Sequence, residues 1–326
     1  MLRSNQLSYI TGNRALRNKV LEVSDIRRQA KNYTQKFTAP AVKKRNNSQM
    51  TPPTHSKFCD PSSSQQAAEM VWAQWQSGQV FPHFPESCRP LTVMQGYQAQ
   101  AQLPTVSGRH VIGWKIAATS LNGQAHIQVS GPLAGRLLSG QVFASGATVP
   151  SAGNRMRVAE PEFAFTMGQD LLPQNAPLRL EEVCAAVATL HPAIEVPDSR
   201  LTPFTQAGEA QLLADNACAR HFVLGPAAPD GWQNMDLSQH AVHAQVGQGD
   251  SVRYRRAGSG AWVLGDPLIA LTWLANQLSH LGITLQKGHV VTTGTCMVPL
   301  ALENGDTVLA DFGVLGPVRM RFSDEP

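Results

Sequence analysis

Two short stretches of the sequence place carboxylates in segments that otherwise have the composition of buried β-strands. The first, residues 159–165, reads Ala-Glu-Pro-Glu-Phe-Ala-Phe and contains Glu160 and Glu162. The second, residues 191–200, contains Glu195. Because side chains alternate across a strand, Glu160 and Glu162 point to the same face. The pattern therefore predicts several carboxylates gathered on one face of a sheet.

Carboxylates gathered in a poorly hydrated place repel one another, at a cost of roughly several kcal/mol. A hard divalent cation with oxygen ligands, Mg²⁺ or Mn²⁺, would offset that cost. Glu-x-Glu alone is a weak signal, since most such pairs lie on a solvated face. Phe163, Phe165 and Met167 on the opposite side indicate that this strand also has a core-facing side. The hypothesis is therefore a metal site.

The chain of 326 residues is long enough for one large domain or two. Hydrophobic residues make up 42% and charged residues 15%, which allows a sizeable core. The net charge of +4 is unevenly spread: twelve of the 27 basic and two of the 23 acidic residues fall in residues 1–57. That segment carries +10 and the remainder −6, and a mildly acidic body argues against nucleic acid as the main partner.

The five cysteines are widely separated and contain no Cys-x-x-Cys spacing. This favours neither a disulfide framework nor a zinc site, and the reducing cytoplasm is the expected location. No apolar run reaches the ~18 residues that a membrane span requires, so no membrane association is expected.

Residues 1–57 are basic and polar, with too little apolar periodicity to order themselves, and are expected to be a disordered tail. Three interpretations stay open. The segment could be an organelle transit peptide, a nucleic-acid-binding arm, or an overextended start with translation beginning at Met50. The last is favoured, because the globular pattern begins shortly after Met50. We expect a single catalytic domain over residues 58–326, with a helical part (58–105) and a metal-binding, β-rich part (106–326).

Four segments predict helices: residues 61–78, 92–102, 180–190, and a clear amphipathic helix from Pro267 to Gly282. Strands are expected at 108–117, at the two carboxylate segments, and repeatedly after residue 220. The mixture favours an α+β (mixed α/β) domain dominated by antiparallel sheet. Lys115 alternates with Trp114 and Ile116, so it could face a pocket, although a lone strand lysine is more often an exposed edge residue.

Five separated stretches then occur in a fixed order. They are Gly113-x-Lys115-Ile116, Glu160-x-Glu162-x-Ala164-Phe165, Pro192-Ala193-Ile194-Glu195-x-x-Asp198-Ser199-Arg200, Ala214-Asp215-Asn216-Ala217 and Gly258-x-Gly260-Ala261-x-x-Leu264-Gly265-x-Pro267-x-x-Ala270-Leu271-x-Trp273-Leu274-Ala275-Asn276. This order resembles the hydratase/decarboxylase branch of the fumarylacetoacetate hydrolase superfamily, which includes 2-keto-4-pentenoate hydratases of aromatic catabolism. The resemblance covers roughly residues 65–322.

The resemblance implies a mixed β-roll or sandwich with flanking helices, a bound Mg²⁺ or Mn²⁺ and usually a homo-oligomer. The family's metal carboxylates correspond to Glu160, Glu162 and Glu195, and its pocket lysine corresponds to Lys115. Asp198, Ser199 and Arg200 correspond to a sequence block that lies next to the metal in this family. They are expected only to support the metal ligands.

One loop departs from the family pattern. Many hydratases of the branch carry an acid after the proline of this loop and again just beyond it, where this chain has Leu133 and Ser139-Gly140. Arg136 in the same loop could pair with a substrate carboxylate, although a loop arginine is more often solvated surface.

The resemblance implies a small-molecule substrate, a 2-hydroxy-2,4-dienoate, to which the enzyme adds water to give a 4-hydroxy-2-oxo acid. Such a 2-oxo acid can chelate a metal ion that stabilises enolate charge. Two other reactions stay open: decarboxylation of a 4-oxalocrotonate-type substrate, and carbon–carbon hydrolysis of an acylpyruvate, for which no His–Glu pair stands out. A non-catalytic, metal-stabilised binding protein is the alternative from a different class.

Overall fold

The computed structural model describes residues 61–325. The basic segment 1–57 and the boundary at residue 58 therefore lie outside the described residues. Within them the α-helices are α1 (Pro61–Ser77), α2 (Val93–Ser107), α3 (Leu121–Ile127), α4 (Leu180–Ala185), α5 (Glu209–Ala214) and α6 (Pro267–His280).

The helix ends follow local chemistry. Thr92 caps α2 by accepting a 3.2 Å hydrogen bond from the Gln95 amide. Asp266 caps α6 in the same way, with the Leu268 amide 2.7 Å from its carboxylate, and Pro267 occupies the first turn. These two starts agree with the sequence prediction, as do α1 and the length of α6.

Three helix predictions differ from the structure. Helix α2 continues through Pro104 to Ser107 instead of ending near residue 102. The helix expected over residues 180–190 stops at Ala185, because residues from Val187 onward pair with a carboxylate strand. Helix α3, which Ser120 caps, is not among the four helices expected from the sequence.

The strands are β1 (Val111–Ala117), β2 (Leu133–Leu138), β3 (Val142–Ala144), β4 (Thr148–Val149), β5 (Val158–Met167), β6 (Val187–Val196), β7 (His221–Leu224), β8 (Ala241–Gln248), β9 (Ser251–Ser259), β10 (Val290–Thr295), β11 (Leu300–Ala301), β12 (Asp306–Asp311) and β13 (Pro317–Phe322). One sheet has the order β2-β1-β10-β5-β6-β7-β3, with β11 also paired to β5, and the other has the order β4-β13-β12-β8-β9. Most pairs are antiparallel; β1–β10, β3–β7 and β4–β13 are parallel. The mixed, mainly antiparallel fold expected from the sequence is confirmed.

The two faces of the larger sheet have different surroundings. Phe163 and Phe165 of β5 point into the main hydrophobic core and are completely buried. Ala164 of β5 and Ala193 of β6 point to the other face, where they belong to a smaller apolar cluster with Leu137 and Phe222. This second face also carries the carboxylates. No helix among residues 61–325 combines the length and apolar character that crossing a membrane would require.

Candidate metal centre and active site

Strands β5 and β6 bring the three glutamates together. In their antiparallel register Glu160 lies directly opposite Glu195, and Glu162 lies opposite Ala193, one step along the same face. One carboxylate oxygen from each of Glu160, Glu162 and Glu195 lies within 4.8 Å of the others. Glu162 and Glu195 are completely buried, whereas Glu160 is partly exposed. The alternation of side chains along β5 and the register of β5 with β6 thus place the three glutamates in a compact acidic cluster.

Lys115 completes the cluster from β1. This strand lies between β2 and β10, so Lys115 is not an exposed edge residue; its side chain is 3% exposed. Its Nζ lies 2.9 Å from Oε2 of Glu195 and forms a buried ion pair. Trp114 and Ile116 point to the main core, as the alternation predicts.

Two residues that the sequence reasoning missed hold Glu162 from strand β10. The Thr292 hydroxyl donates to Oε2 of Glu162, and the Gly294 amide donates to the same oxygen at 2.7 Å. Gly294 has a φ of +100°, and a Cβ there would lie 2.1 Å from the Thr119 hydroxyl, so glycine is required. The sequence feature that could have indicated these two residues is the polar run Thr-Thr-Gly-Thr, which follows two valines in β10.

The electrostatics of the cluster favour an added cation. Three carboxylates and one ammonium leave a net charge of −2 when all are ionised. Burial, and then the charge of Glu195, raises the pKa of Glu160 to about 7, and the same two causes raise the pKa of Glu162 well above its ordinary value. Burial lowers the pKa of Lys115, but the combined charges of its acidic neighbours, Glu195 foremost, outweigh burial and raise the pKa above that of a free lysine.

The donor set fits a divalent metal ion. Oε1 of Glu162 and Oε1 of Glu195 are buried and have no hydrogen-bond partner among the described residues. Buried carboxylate oxygens without a donor are costly, and a cation with oxygen ligands would satisfy them while offsetting the charge of −2. Because one oxygen of Glu162 is anchored by β10, the other is held in place for such an ion.

Asn216, in the fourth sequence stretch, fixes strand β2 beside Lys115. The Asn216 side chain accepts from the Arg136 amide at 2.7 Å and donates to the Arg136 carbonyl at 2.9 Å. Gly135, which lies opposite Lys115 in the β1–β2 register, is next to these two hydrogen bonds. A Cβ on Gly135 would lie 2.5 Å from the Asn216 carbonyl oxygen and 3.0 Å from Cγ of Lys115, so only glycine fits without displacement.

The block Asp198-Ser199-Arg200 makes contacts that tie loops together. Oδ1 of Asp198 accepts from the Arg155 amide at 2.9 Å, and its other oxygen forms an ion pair with Arg200. The Ser199 hydroxyl and the Arg200 amide both donate to Asp215. The role of this block in supporting the metal site stays a prediction.

Arg136 and Leu133 both belong to β2 and are buried. The Arg136 guanidinium lies over the Trp114 ring, 4.6 Å from its centroid, on the face opposite Lys115. The structure therefore does not bring it together with the glutamates, nor is it solvated surface. Leu133 packs in the main hydrophobic core.

Cys218 is a further residue that the sequence analysis did not single out. It is buried, and its carbonyl accepts from the Asp198 amide at 3.0 Å. Burial, and then the charge of Asp215, raises the pKa of its thiol to about 12, while the charges of Lys115, Glu195 and Glu160 also act on it. The thiol is therefore protonated at neutral pH and is a poor nucleophile.

The fold matches that of a solved enzyme along most of the chain. The structure of 4-oxalocrotonate decarboxylase from Pseudomonas putida G7, complexed with magnesium and adipate, superimposes with a TM-score of 0.71 and 24% sequence identity. The match covers 82% of this chain and 100% of that chain. At this level of sequence identity, the likeness concerns the fold alone.

Sequence comparison is more specific. A 2-keto-4-pentenoate hydratase of Paraburkholderia xenovorans LB400 is 30% identical over 267 residues, 80% of this chain and 96% of that protein. A 2-hydroxyhexa-2,4-dienoate hydratase of Comamonas testosteroni is 33% identical over 218 residues, 65% of this chain and 79% of that protein. No protein-family model matches the chain. The chain belongs to the 2-keto-4-pentenoate hydratase family, a group of hydratase-type lyases, and the family resemblance drawn from the sequence is confirmed.

Proposed function

We propose that this enzyme adds water to a 2-hydroxy-2,4-dienoate of the 2-oxopent-4-enoate type and forms a 4-hydroxy-2-oxo acid in the breakdown of aromatic compounds. The observation that carries the proposal is the cluster of Glu160, Glu162 and Glu195 with the buried Lys115 on the same face of the sheet. Curated relatives named as hydratases of such dienoates support the choice of reaction.

Glu160, Glu162 and Glu195 would hold Mg²⁺ or Mn²⁺, and magnesium is named in the complex of the decarboxylase that shares the fold. When bound, the ion would supply Lewis-acid stabilisation of negative charge on a 2-oxo acid. The anchoring of Glu162 by Thr292 and Gly294 fixes one ligand before the ion arrives, which lowers the cost of organising the site.

Lys115 is the candidate for proton transfer and for binding a substrate oxygen. Its Nζ is held charged beside Glu195, in a place without bulk water, so a hydrogen bond from it to a developing enolate oxygen is strong. Conversion of the dienol to the unsaturated ketone moves one proton from the enol oxygen to the terminal carbon. Water then adds across the remaining double bond, with hydroxide to C4 and a proton to C3, and Lys115 would assist this proton transfer.

Decarboxylation is the second candidate, because the 4-oxalocrotonate decarboxylase has the same fold. It would need the same enolate stabilisation and would release CO₂ instead of taking up water. Acylpyruvate hydrolysis is less well supported: the acidic cluster among the described residues contains three glutamates and no histidine to activate water. A non-catalytic binding protein would not need the buried Lys115. A homo-oligomer in the cytoplasm stays a prediction.

The full chain should be incubated with Mg²⁺ and either 2-hydroxypenta-2,4-dienoate or 4-oxalocrotonate. Product analysis by mass spectrometry distinguishes the candidates. The proposal expects 4-hydroxy-2-oxopentanoate from the first substrate and no CO₂ from the second. Release of CO₂ from 4-oxalocrotonate, with the dienoate unchanged, would replace the hydratase by a decarboxylase.

A further inference from the structure

Two arginines lie side by side against helix α1, away from the acidic cluster. Cζ of Arg109 lies 5.0 Å from the centroid of the Trp72 ring, and Cζ of Arg220 lies 5.1 Å from that of Trp75. The two indole rings belong to the same helix and are 6.5 Å apart. Stacking on an indole face fixes the plane of a guanidinium, so both arginines are held in place before any ligand is present.

No carboxylate neutralises this pair in the described part of the chain. The ion pairs formed by residues 61–325 include neither Arg109 nor Arg220. Both side chains are only partly exposed, and burial followed by the charge of Arg109 lowers the pKa of Arg220. Two neighbouring cations without an anion repel each other, which is a cost that a bound anion would remove.

Two buried side chains add hydrogen-bonding groups that are not used within the described structure. Nε2 of Gln141, a residue that is 2% exposed, and Nδ1 of His221, a residue that is 8% exposed, have no hydrogen-bond partner there. Gln141 and His221 are neighbours at the start of the parallel β3–β7 pair, where the Phe222 amide donates to the Gln141 carbonyl at 2.9 Å.

Gln141 and His221 belong to the same part of the fold as the two arginines. A Cβ on Gly140, the residue before Gln141, would lie 3.7 Å from Cζ of Arg109. His221 follows Arg220 in the chain, and burial together with the charges of Arg220 and Arg109 lowers its pKa to about 3. The imidazole is therefore neutral at pH 7, with one nitrogen able to donate.

This arrangement is separate from the metal centre. In the β6–β7 register Glu195 pairs with Phe222, whereas His221 pairs with Val196. Because alternate residues face opposite sides of a strand, His221 lies on the face of the sheet opposite Glu195. The smaller apolar cluster that contains Phe222 lies on the Glu195 face, away from His221.

We propose that Arg109, Arg220, Gln141 and His221 form a binding site for a phosphoryl group, either free phosphate or a small phosphomonoester. Two fixed guanidinium groups call for an anion with a charge near −2, and phosphate carries about −1.5 to −2 at neutral pH. Its terminal oxygens can accept from both arginine forks and from the two buried donors at once, which a carboxylate with two oxygens matches less well.

The test uses the full chain in the presence of a chelator, so that phosphate does not act through a divalent ion. Inorganic phosphate should raise the unfolding temperature in a saturable way, beyond chloride at equal ionic strength. Calorimetry should give a defined affinity that Arg220→Gln lowers by at least about tenfold, which is about 1.4 kcal/mol. Arg319→Gln, at an exposed arginine of β13, should leave the affinity unchanged.

Arg109→Gln gives an independent test if Arg220→Gln does not fold, because Arg109 is also stacked but belongs to a different segment. It should weaken phosphate binding to a similar degree. A phosphomonoester such as glycerol phosphate separates the two sources, since tighter binding than phosphate would identify an ester as the ligand. Phosphate stabilisation that equals that of chloride, or that persists undiminished in Arg220→Gln and Arg109→Gln, would overturn the proposal.

Discussion

Nζ of Lys115 lies 2.9 Å from Oε2 of Glu195, and both side chains are almost completely buried, one reaching from β1 and the other from β6. Strands β10 and β5 lie between them in the sheet. The ion pair therefore spans the curved face on which the acidic cluster is built. It holds the lysine next to the residues proposed to bind the metal, and it links the two groups that the proposed chemistry needs.

Replacing Lys115 by alanine should separate metal binding from catalysis. Mg²⁺ affinity should be retained or increased, because the cluster becomes more negative, whereas turnover of the dienoate should fall by about 10²- to 10⁴-fold. Calorimetry and steady-state kinetics on the same preparation check this. Lys287→Ala, at an exposed lysine, serves as the control. Unchanged turnover in Lys115→Ala would remove the lysine from the mechanism.

Replacing Glu162 by glutamine should abolish Mg²⁺ binding while the fold survives. The glutamine oxygen can still accept from Thr292 and Gly294, but the negative charge of this ligand is lost. Calorimetric titration with Mg²⁺ measures the first effect, and circular dichroism measures the second. Glu181→Gln, at an exposed glutamate, should bind Mg²⁺ like the parent. Normal Mg²⁺ binding by Glu162→Gln would mean that the ligand set is misassigned.

Thr292 and Thr293 provide a matched pair on one strand. Thr292→Val removes the hydroxyl that donates to Glu162 and should weaken Mg²⁺ binding by about 10- to 100-fold. Thr293 is equally buried, but its hydroxyl donates to the Phe163 carbonyl at 2.8 Å, so Thr293→Val should lower stability without changing Mg²⁺ affinity. Equal losses of affinity in the two variants would argue against a specific role for Thr292.

His221 should make folding stability depend on pH in the acidic range. Its folded pKa is about 3, lowered first by burial and then by the charges of Arg220 and Arg109, against about 6.5 when unfolded. Between these values the unfolded chain binds more protons, so stability falls as the pH is lowered from about 6.5 towards 3.

Measurement of the urea unfolding free energy between about pH 7 and pH 5 tests the role of His221. In His221→Gln the slope should be shallower by up to about 1.4 kcal/mol per pH unit. Parallel slopes for the parent and the variant would show that His221 does not titrate in this way.

Much of the candidate site followed from the sequence because alternation in strands is a local property. Glu160 and Glu162 had to share a face, and Phe163 and Phe165 had to take the other. The pairing of Glu160 with Glu195, however, depends on a register that no local pattern specifies. That Glu195 joins Glu160 and Glu162 could be predicted only from the family resemblance and from the presence of isolated carboxylates in apolar strands.

Other features depend on tertiary contacts and could not be derived in the same way. The hydrogen bonds from Thr292 and Gly294 to Glu162 join β10 to β5, and these two strands are far apart in the sequence. The helix expected over residues 180–190 was shortened because pairing with β5 outweighs the local helical pattern. Arg136 was expected in a loop but lies in a strand, where the alternation turns it towards Trp114.

The most direct test of the account compares Mg²⁺ binding with Mg²⁺-dependent catalysis in the full chain. The ultraviolet absorbance of 2-hydroxypenta-2,4-dienoate is followed while Mg²⁺ is varied from zero, set by a chelator, to saturation, and Mg²⁺ binding is measured by calorimetry under the same conditions. The account predicts no turnover in the chelator, recovery on adding Mg²⁺, and the same midpoint for turnover and for binding. Turnover that persists in the chelator, or that saturates at a midpoint unrelated to binding, would contradict the claim that the three-glutamate cluster is a catalytic metal centre.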